Sequence, residues 1–332
     1  MEAEGSAAVA IPVEALSAAR RRIERATRVL LLTHLAPDGD AVGSTLGFGL
    51  ALRAAGKEVM FVCADPIPDT FRFLPAFGEF AAAPRGTYDL VAALDAADRG
   101  RLGSPGESLT QPIDLVFDHH FTNPGFGEIN LIDVAAASTA ELVADLLAPL
   151  GLPLTRSAAE CLLAGLITDT MGFRTSSTTA KTLALAQKLV EAGASLPEIY
   201  DLAFYKRSIY AVRLWAVGLA NLKLEHRIVW TTISLADREA ARYHGQGDAD
   251  LVNVLQSVRE ADVALILTER PEGKVKVSWR AVAGVNVAAI AADFGGGGHV
   301  AAAGAELTGT LADVEQIVIT ATKAALNGTR RP

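Results

Sequence analysis

The chain of 332 residues has little cysteine, few aromatics, no long apolar run and no excess of positive charge. Its two cysteines, Cys63 and Cys161, lie far apart in sequence, each inside an apolar segment, which argues against a disulfide framework and against a thiolate metal site. Apolar stretches are broken by Gly, Asp or Arg well before the roughly 18 residues of a membrane span, so no anchor is expected. The opening MEAEGSAAVAIPVEAL is acidic where a secretory signal needs basic residues, and the expected location is the cytoplasm. A net charge of -8 argues against a surface that tracks the phosphates of a long duplex, which takes many Lys and Arg contacts. A short anionic substrate stays open, because carboxylates that hold divalent metal count here as full negative charges. No internal repeat and no low-complexity linker interrupts the chain, and its length fits two domains with sizeable cores.

The first half alternates short β-rich runs with helical ones: RVLLLTH (28 to 34), EVMFVCA (58 to 64), LVAALDA (90 to 96) and DLVFDHH (114 to 120). This rhythm predicts a parallel sheet with crossover helices, the first over AVGSTLGFGLALRAAG and closed by Gly56. Residues from about 138 to 210 read as mostly helical. From about 213 RIVWTTIS, VALILTER and KVKVSWRA read as strands, the last two joined through PEG as a hairpin, giving a smaller α/β domain. The fold class is therefore α/β, with a catalytic domain over 13 to 185, a helical connector over 186 to 212 and a second domain over 213 to 328.

Each strand candidate of the first half ends in polar residues, and open α/β sheets bind ligands at the carboxyl ends of their strands. His34, Asp38 and Asp40 follow the first run, Asp95 closes LVAALD, and Asp118, His119 and His120 close the fourth. Asp169 follows the apolar stretch CLLAGLIT. Every one of these has an ordinary alternative as a turn, a helix cap or a buried histidine. Asp98 competes with Asp95, which is preferred because it sits directly at the strand end. In an extended segment neighbouring side chains face opposite ways, so one of His119 and His120 can hold metal while the other faces substrate. Asp118 is then placed to orient an imidazole. His34, Asp38, Asp40, Asp95, His119 and Asp169 together offer N and O ligands and no sulfur, which favours Mn or Mg over structural zinc and fits two metals. Farther on, Gly295, Gly296, Gly297 and Gly298 lead into His299. Such a run is commonly a loop or tight turn, and it also lets backbone amides approach a phosphate.

HLAPDGDAVGS, Asp95, DHH and the Asp169 segment resemble, in order, the four motifs of the DHH phosphoesterase superfamily over most of residues 28 to 178. KVSWRA followed by VNVAAIAADFGGGGHVAAAGA resembles the DHHA1 domain of one of its branches. The resemblance implies one metal on His34, Asp38 and Asp95 and another on Asp40, Asp95, His119 and Asp169, with Asp95 shared. Manganese is the expected metal, with Mg or Co as alternatives. His120 is assigned to a phosphate oxygen or to the leaving oxygen, and Arg280, the glycine run and His299 to the rest of the substrate. The length resembles the bifunctional oligoribonucleases that also act on 3'-phosphoadenosine 5'-phosphate. The implied substrates are short RNA, linear or cyclic dinucleotides and that bisphosphate. A family II inorganic pyrophosphatase is the enzyme alternative, and a nucleotide-binding regulator without catalysis the non-enzyme one. A homodimer is left open.

Overall fold

A computed structural model describes residues 11–245, 247–282 and 284–328, with the backbone alone at 299, 327 and 328. The chain divides between Lys206 and Arg207 into two compact units.

In the first unit β1 (Arg28–Leu32), β2 (Glu58–Val62), β3 (Phe80–Ala81), β4 (Leu90–Leu94), β5 (Leu115–Asp118) and β6 (Ile129–Ile132) form one sheet, ordered β3-β2-β1-β4-β5-β6. All of its pairings are parallel. The helices are α1 (Val13–Arg25), α2 (Gly39–Ala54), α3 (Gly103–Ser108), α4 (Thr139–Leu147), α5 (Arg156–Asp169), α6 (Ala180–Glu191) and α7 (Leu196–Tyr200). Val29, Leu31, Ala92, Leu94, Leu115 and Phe117 pack into the core that holds α2, α4 and α5. The alternate residues Leu30, Leu32, Val91, Ala93 and Val116 fill a smaller core on the opposite face. Burial on both faces is why these strands read as unbroken apolar runs. The connection after β1 builds outward to β2, and β4 returns to the other side of β1. That reversal leaves a crevice at the carboxyl ends of β1 and β4.

Helix α2 is buried almost all round, and glycine decides how near α5 it lies. A Cβ at Gly43 would stand 2.5 Å from the Cys161 carbonyl and 2.6 Å from the Gly165 nitrogen. Gly39 and Gly47, one turn to either side, pack as tightly against Thr168 and Leu162. Spacing by four puts the three on one helix face, so the backbones approach without side chains between them. The start of α2, with Asp38 and Asp40, is thereby held beside the end of α5, with Asp169.

The second unit holds β7 (Lys223–Glu225), β8 (Ile228–Ile233), β9 (Val263–Arg270), β10 (Lys274–Ala281), β11 (Gly297–His299) and β12 (Ala302–Thr308), ordered β11-β12-β10-β9-β8-β7. Only β8 and β9 pair in parallel. Its helices are α8 (Ile209–Ala220), α9 (Leu235–Ala241), α10 (Leu251–Leu255), α11 (Val287–Ala292) and α12 (Leu311–Gly328). Along β10, Val275, Val277 and Trp279 are buried in the core, while Lys276 is exposed and Ser278 and Arg280 are half-buried.

Two features depart from the sequence reading. Strands β3 and β6 went unread, being two and four residues long at the sheet margins, and so did β7 and β12 of the second unit. The glycine run is partly a strand rather than a loop: Gly297, Gly298 and His299 pair with Gly304, Ala303 and Ala302. Close packing explains two of its glycines, since a Cβ at Gly296 would lie 2.2 Å from the Gly304 carbonyl and one at Gly298 2.5 Å from that of Ala302. No helix among the described residues is long and apolar enough to cross a membrane.

Candidate metal centre

The crevice at the ends of β1, β4 and β5 gathers His34, Asp38, Asp40, Asp95, His119, His120 and Asp169. Within it, His34, Asp38 and Asp95 form one group of close ligand atoms, Asp40, His119 and Asp169 another, and Asp95, His119 and His120 a third. Asp95 faces both imidazoles: its Oδ2 lies 3.6 Å from His34 Nε2 and its Oδ1 3.8 Å from His119 Nε2. His34 Nε2 is also 3.9 Å from Asp38 Oδ1. His119 Nε2 is 3.6 Å from Asp169 Oδ2 and 4.0 Å from Asp40 Oδ2.

The other ring nitrogens set the tautomers. His34 Nδ1 sits 2.7 Å from the Leu35 carbonyl and His119 Nδ1 3.3 Å from the Ala136 carbonyl. Each Nδ1 is thus taken up by a main-chain carbonyl, and Nε2 is the ring nitrogen turned toward the carboxylate oxygens. At 3.6–4.0 Å these Nε2–carboxylate approaches are longer than good hydrogen bonds and leave room for a cation between nitrogen and oxygen. The donor chemistry, nitrogen and oxygen without sulfur, suits a hard or borderline divalent ion.

Three of the carboxylates are fixed from outside the cluster. Asp38 caps α2, its Oδ1 accepting from the Asp40 and Ala41 amides at 3.0 Å. Fully buried Asp40 is held by the first amides of α4, Thr139 N–H to Oδ2 at 2.6 Å and Ala140 N–H to Oδ1 at 2.8 Å. The Thr139 hydroxyl donates to Asp95 Oδ1 at 2.8 Å, so this one residue sets two of the acids. Asp95 itself has φ 57, a left-handed conformation that favours glycine, Asn or Asp.

Charge follows from this crowding. Burial, then the charges of Asp95 and Asp169, push Asp40 well above the usual carboxylate range. Burial likewise pushes Asp169 up to about 7, against the pull of His119. Asp95 moves the other way: burial opposes its charge, but the neighbouring His34 imidazole and the charges of the other histidines hold it below the usual range. His120 is disfavoured as a cation by burial, yet the Asp118 hydrogen bond and charge raise it to about 9.

His120 Nδ1 lies 3.8 Å from Asp95 Oδ1, but its short hydrogen bond is to Asp118. Buried Asp118 accepts from His120 Nδ1 at 2.7 Å and from the His119 amide at 2.9 Å, and its second oxygen accepts from Asn123 Nδ2 at 2.6 Å. Asn123 also ties the turn to the Ala96 carbonyl. The imidazole that Asp118 orients is thus that of His120, whereas His119 is oriented by a main-chain carbonyl. Thr139 and Asn123 escaped the sequence reading. Ser138 caps α4, but nothing local tells that the Thr139 amide meets a carboxylate 99 residues earlier.

Asp98 is exposed and caps the turn at 99–102 through the Arg101 amide. Arg280 belongs to the second unit, where Nε donates to Asn253 Oδ1 at 3.1 Å and Nη1 to the Trp279 carbonyl at 2.9 Å. Burial lowers its pKa, and the nearby Asp248 and Asp250 offset part of that. Arg280 pairs with Ala302, which pairs with His299, so the three share one row of the sheet. The side chain of His299 lies outside the described residues.

Residues 28–166 match the model of the DHH family, N-terminal domain, and residues 239–327 that of the DHHA1 domain. The bifunctional oligoribonuclease and PAP phosphatase NrnA of Thermus thermophilus is 38% identical over 286 residues, 85% of this chain and 84% of that protein. The protein of the same name from Bacillus subtilis is 27% identical over 86% of this chain and 91% of its own. A crystal structure of an exopolyphosphatase-related protein from Bacteroides fragilis superposes with a TM-score of 0.89 at 25% identity, covering 95% of this chain and 97% of that one. With both domain models matched in order and the Thermus relative aligned along most of its length, the chain belongs to the DHH family, in the branch that carries a DHHA1 domain.

Proposed function

We propose that the protein is a metal-dependent phosphoesterase that hydrolyses short oligoribonucleotides and linear or cyclic dinucleotides to mononucleotides, and 3'-phosphoadenosine 5'-phosphate to AMP. The observation that carries this reading is the pair of imidazole Nε2 atoms turned onto the two oxygens of one carboxylate, Asp95, shared between them. The names of the relatives supply the substrate class. In this reading His34, Asp38 and Asp95 hold one divalent ion and Asp40, Asp95, His119 and Asp169 the second, manganese first, with Mg or Co able to substitute. Two such ions supply a water of lowered pKa and offset the charge on the attacking and leaving oxygens.

The chain's own residues do the rest. Thr139 and the start of α4 hold Asp40 and Asp95 in register, so no reorganisation is needed when substrate arrives. His120, with Nδ1 committed to Asp118, works through Nε2 on a non-bridging phosphate oxygen or on the proton of the leaving oxygen. Arg280, with Nε and Nη1 already bonded, is suited to hold a substrate phosphate in a fixed orientation. Gly295 to Gly298 and His299 are assigned to the same part of the substrate. The catalytic domain is taken as residues 13 to 185, the connector as 186 to 212 and the substrate domain as 213 to 328.

Rates on pApA, short RNA, 3'-phosphoadenosine 5'-phosphate, cyclic dinucleotides and inorganic pyrophosphate, with Mn2+ and with Mg2+, test the reading. Turnover of the nucleotides is expected; turnover of pyrophosphate alone overturns it. A further expectation concerns Thr139. Thr139→Val keeps the shape but removes the donor to Asp95, and Mn2+ affinity measured by calorimetry should fall about tenfold, the scale of losing a group that orients a ligand. Thr139→Ser should recover it, and a valine variant with wild-type affinity would remove Thr139 from the centre.

A further inference from the structure

Beside the exposed charges of Asp38 and Arg101, the segments that carry the candidate metal centre also present apolar side chains to solvent. Phe121, next in sequence to His120, is 85% exposed, although the ring offers nothing that water hydrates well. Its turn is pinned at both ends: the Asn123 amide donates to the His120 carbonyl at 3.1 Å, and the Asn123 side chain bonds Asp118 and the Ala96 carbonyl. Val134, 50% exposed, follows the neighbouring strand β6, and the Asp133 amide just before it donates to the Asp118 carbonyl. Met171, 36% exposed, is two residues beyond Asp169 and has φ 49. Phe121 and Met171 thus stand within two residues of His119 and Asp169, and Val134 follows a residue bonded to the Asp118 carbonyl, beside a cluster that is carboxylate and imidazole.

We propose that Phe121 is the stacking surface for the nucleobase of the substrate whose phosphate lies at the metal centre. This rests on the phosphoesterase reading above. The cluster can take the phosphate, but it offers the attached base only anionic and basic groups; the aromatic ring one residue from His120 offers a π-face. A phenyl ring has no donor or acceptor with which to choose among bases, so stacking on it tolerates any sequence, as a general short-RNA substrate requires. The pinned turn means the ring is offered without ordering a loop first.

Substitution here touches no core, so Phe121→Ala and Phe121→Trp should fold as the wild type does. With Mn2+ bound, AMP titrated into Phe121→Trp should quench fluorescence beyond the change seen in the wild type, whose tryptophans are Trp215, Trp230 and Trp279. Ribose 5-phosphate should not. Phe121→Ala should weaken AMP about tenfold while Phe121→Trp keeps or improves it. Equal quenching by ribose 5-phosphate, or an alanine variant with unchanged AMP affinity in an enzyme that still cleaves pApA, overturns the stacking surface alone. So does a change of sedimentation in Phe121→Ala without a change in AMP affinity, which would mark the ring as a contact between copies. A wild type that neither binds AMP nor cleaves pApA overturns the reading beneath it.

Discussion

Asp95→Asn should lower kcat/KM on pApA on the order of 10³-fold while leaving the fold intact, the scale on which a preorganised electrostatic group is lost. Asparagine is the informative choice for two reasons. Residue 95 has φ 57, which Asn tolerates and most side chains do not, so the turn that follows β4 keeps its course. The amide oxygen can also still accept from Thr139, so one supporting hydrogen bond survives. What disappears is the negative charge that faces His34 with one oxygen and His119 with the other. No other residue of the cluster faces both histidines, so its loss should empty or misplace both positions together, and added Mn2+ should restore little. Asp98→Ala is the contrast: it removes a cap at the exposed turn, costs about 1 kcal/mol and should leave turnover near the wild-type level. Loss of activity of equal size in both variants would mean that Asp95 matters only for folding.

The sheet was readable because its central strands are buried on both faces, so LVAAL and RVLLL carry no polar interruption until they reach the rim. The same contrast marks the site. Asp95 and Asp118 to His120 stand out because each breaks an apolar run where the strand has no use for a charge. Helix α2 was legible as a crossover, but the reason its glycines recur every fourth residue was not, since that depends on α5 lying across it more than 100 residues later. The work of Thr139 was hidden for the same reason. The glycine run illustrates an opposite difficulty. Four glycines before a histidine suggest a loop moulded to a ligand, yet two of them are needed simply to let β12 pass. Composition showed that backbone comes close to something there without telling what.

Stripping the metal should abolish turnover and should also make stability fall with rising pH. In the metal-free protein Asp169 is raised to about 7 and His120 to about 9, and buried Asp40 is raised as well. A group whose pKa is higher folded than unfolded stabilises below its unfolded value and loses that contribution as pH climbs through its folded value. For Asp169 the loss therefore runs from the ordinary carboxylate range to about 7, and for His120 from the ordinary imidazole range to about 9. Both slopes have the same sign between pH 6 and 9. Asp95, lowered, has its full contribution long before that window and stays flat across it. With Mn2+ the carboxylates are neutralised by the ion in place of protons, and because ligands bind deprotonated the metal grips better as pH rises. The melting curves of loaded and chelated protein should accordingly diverge, the gap in Tm widening on the order of 5 °C from pH 6 to pH 8.5. Parallel curves across that range would mean that the acidic cluster carries no ion, and a gap that narrows would mean that its charges are balanced within the protein.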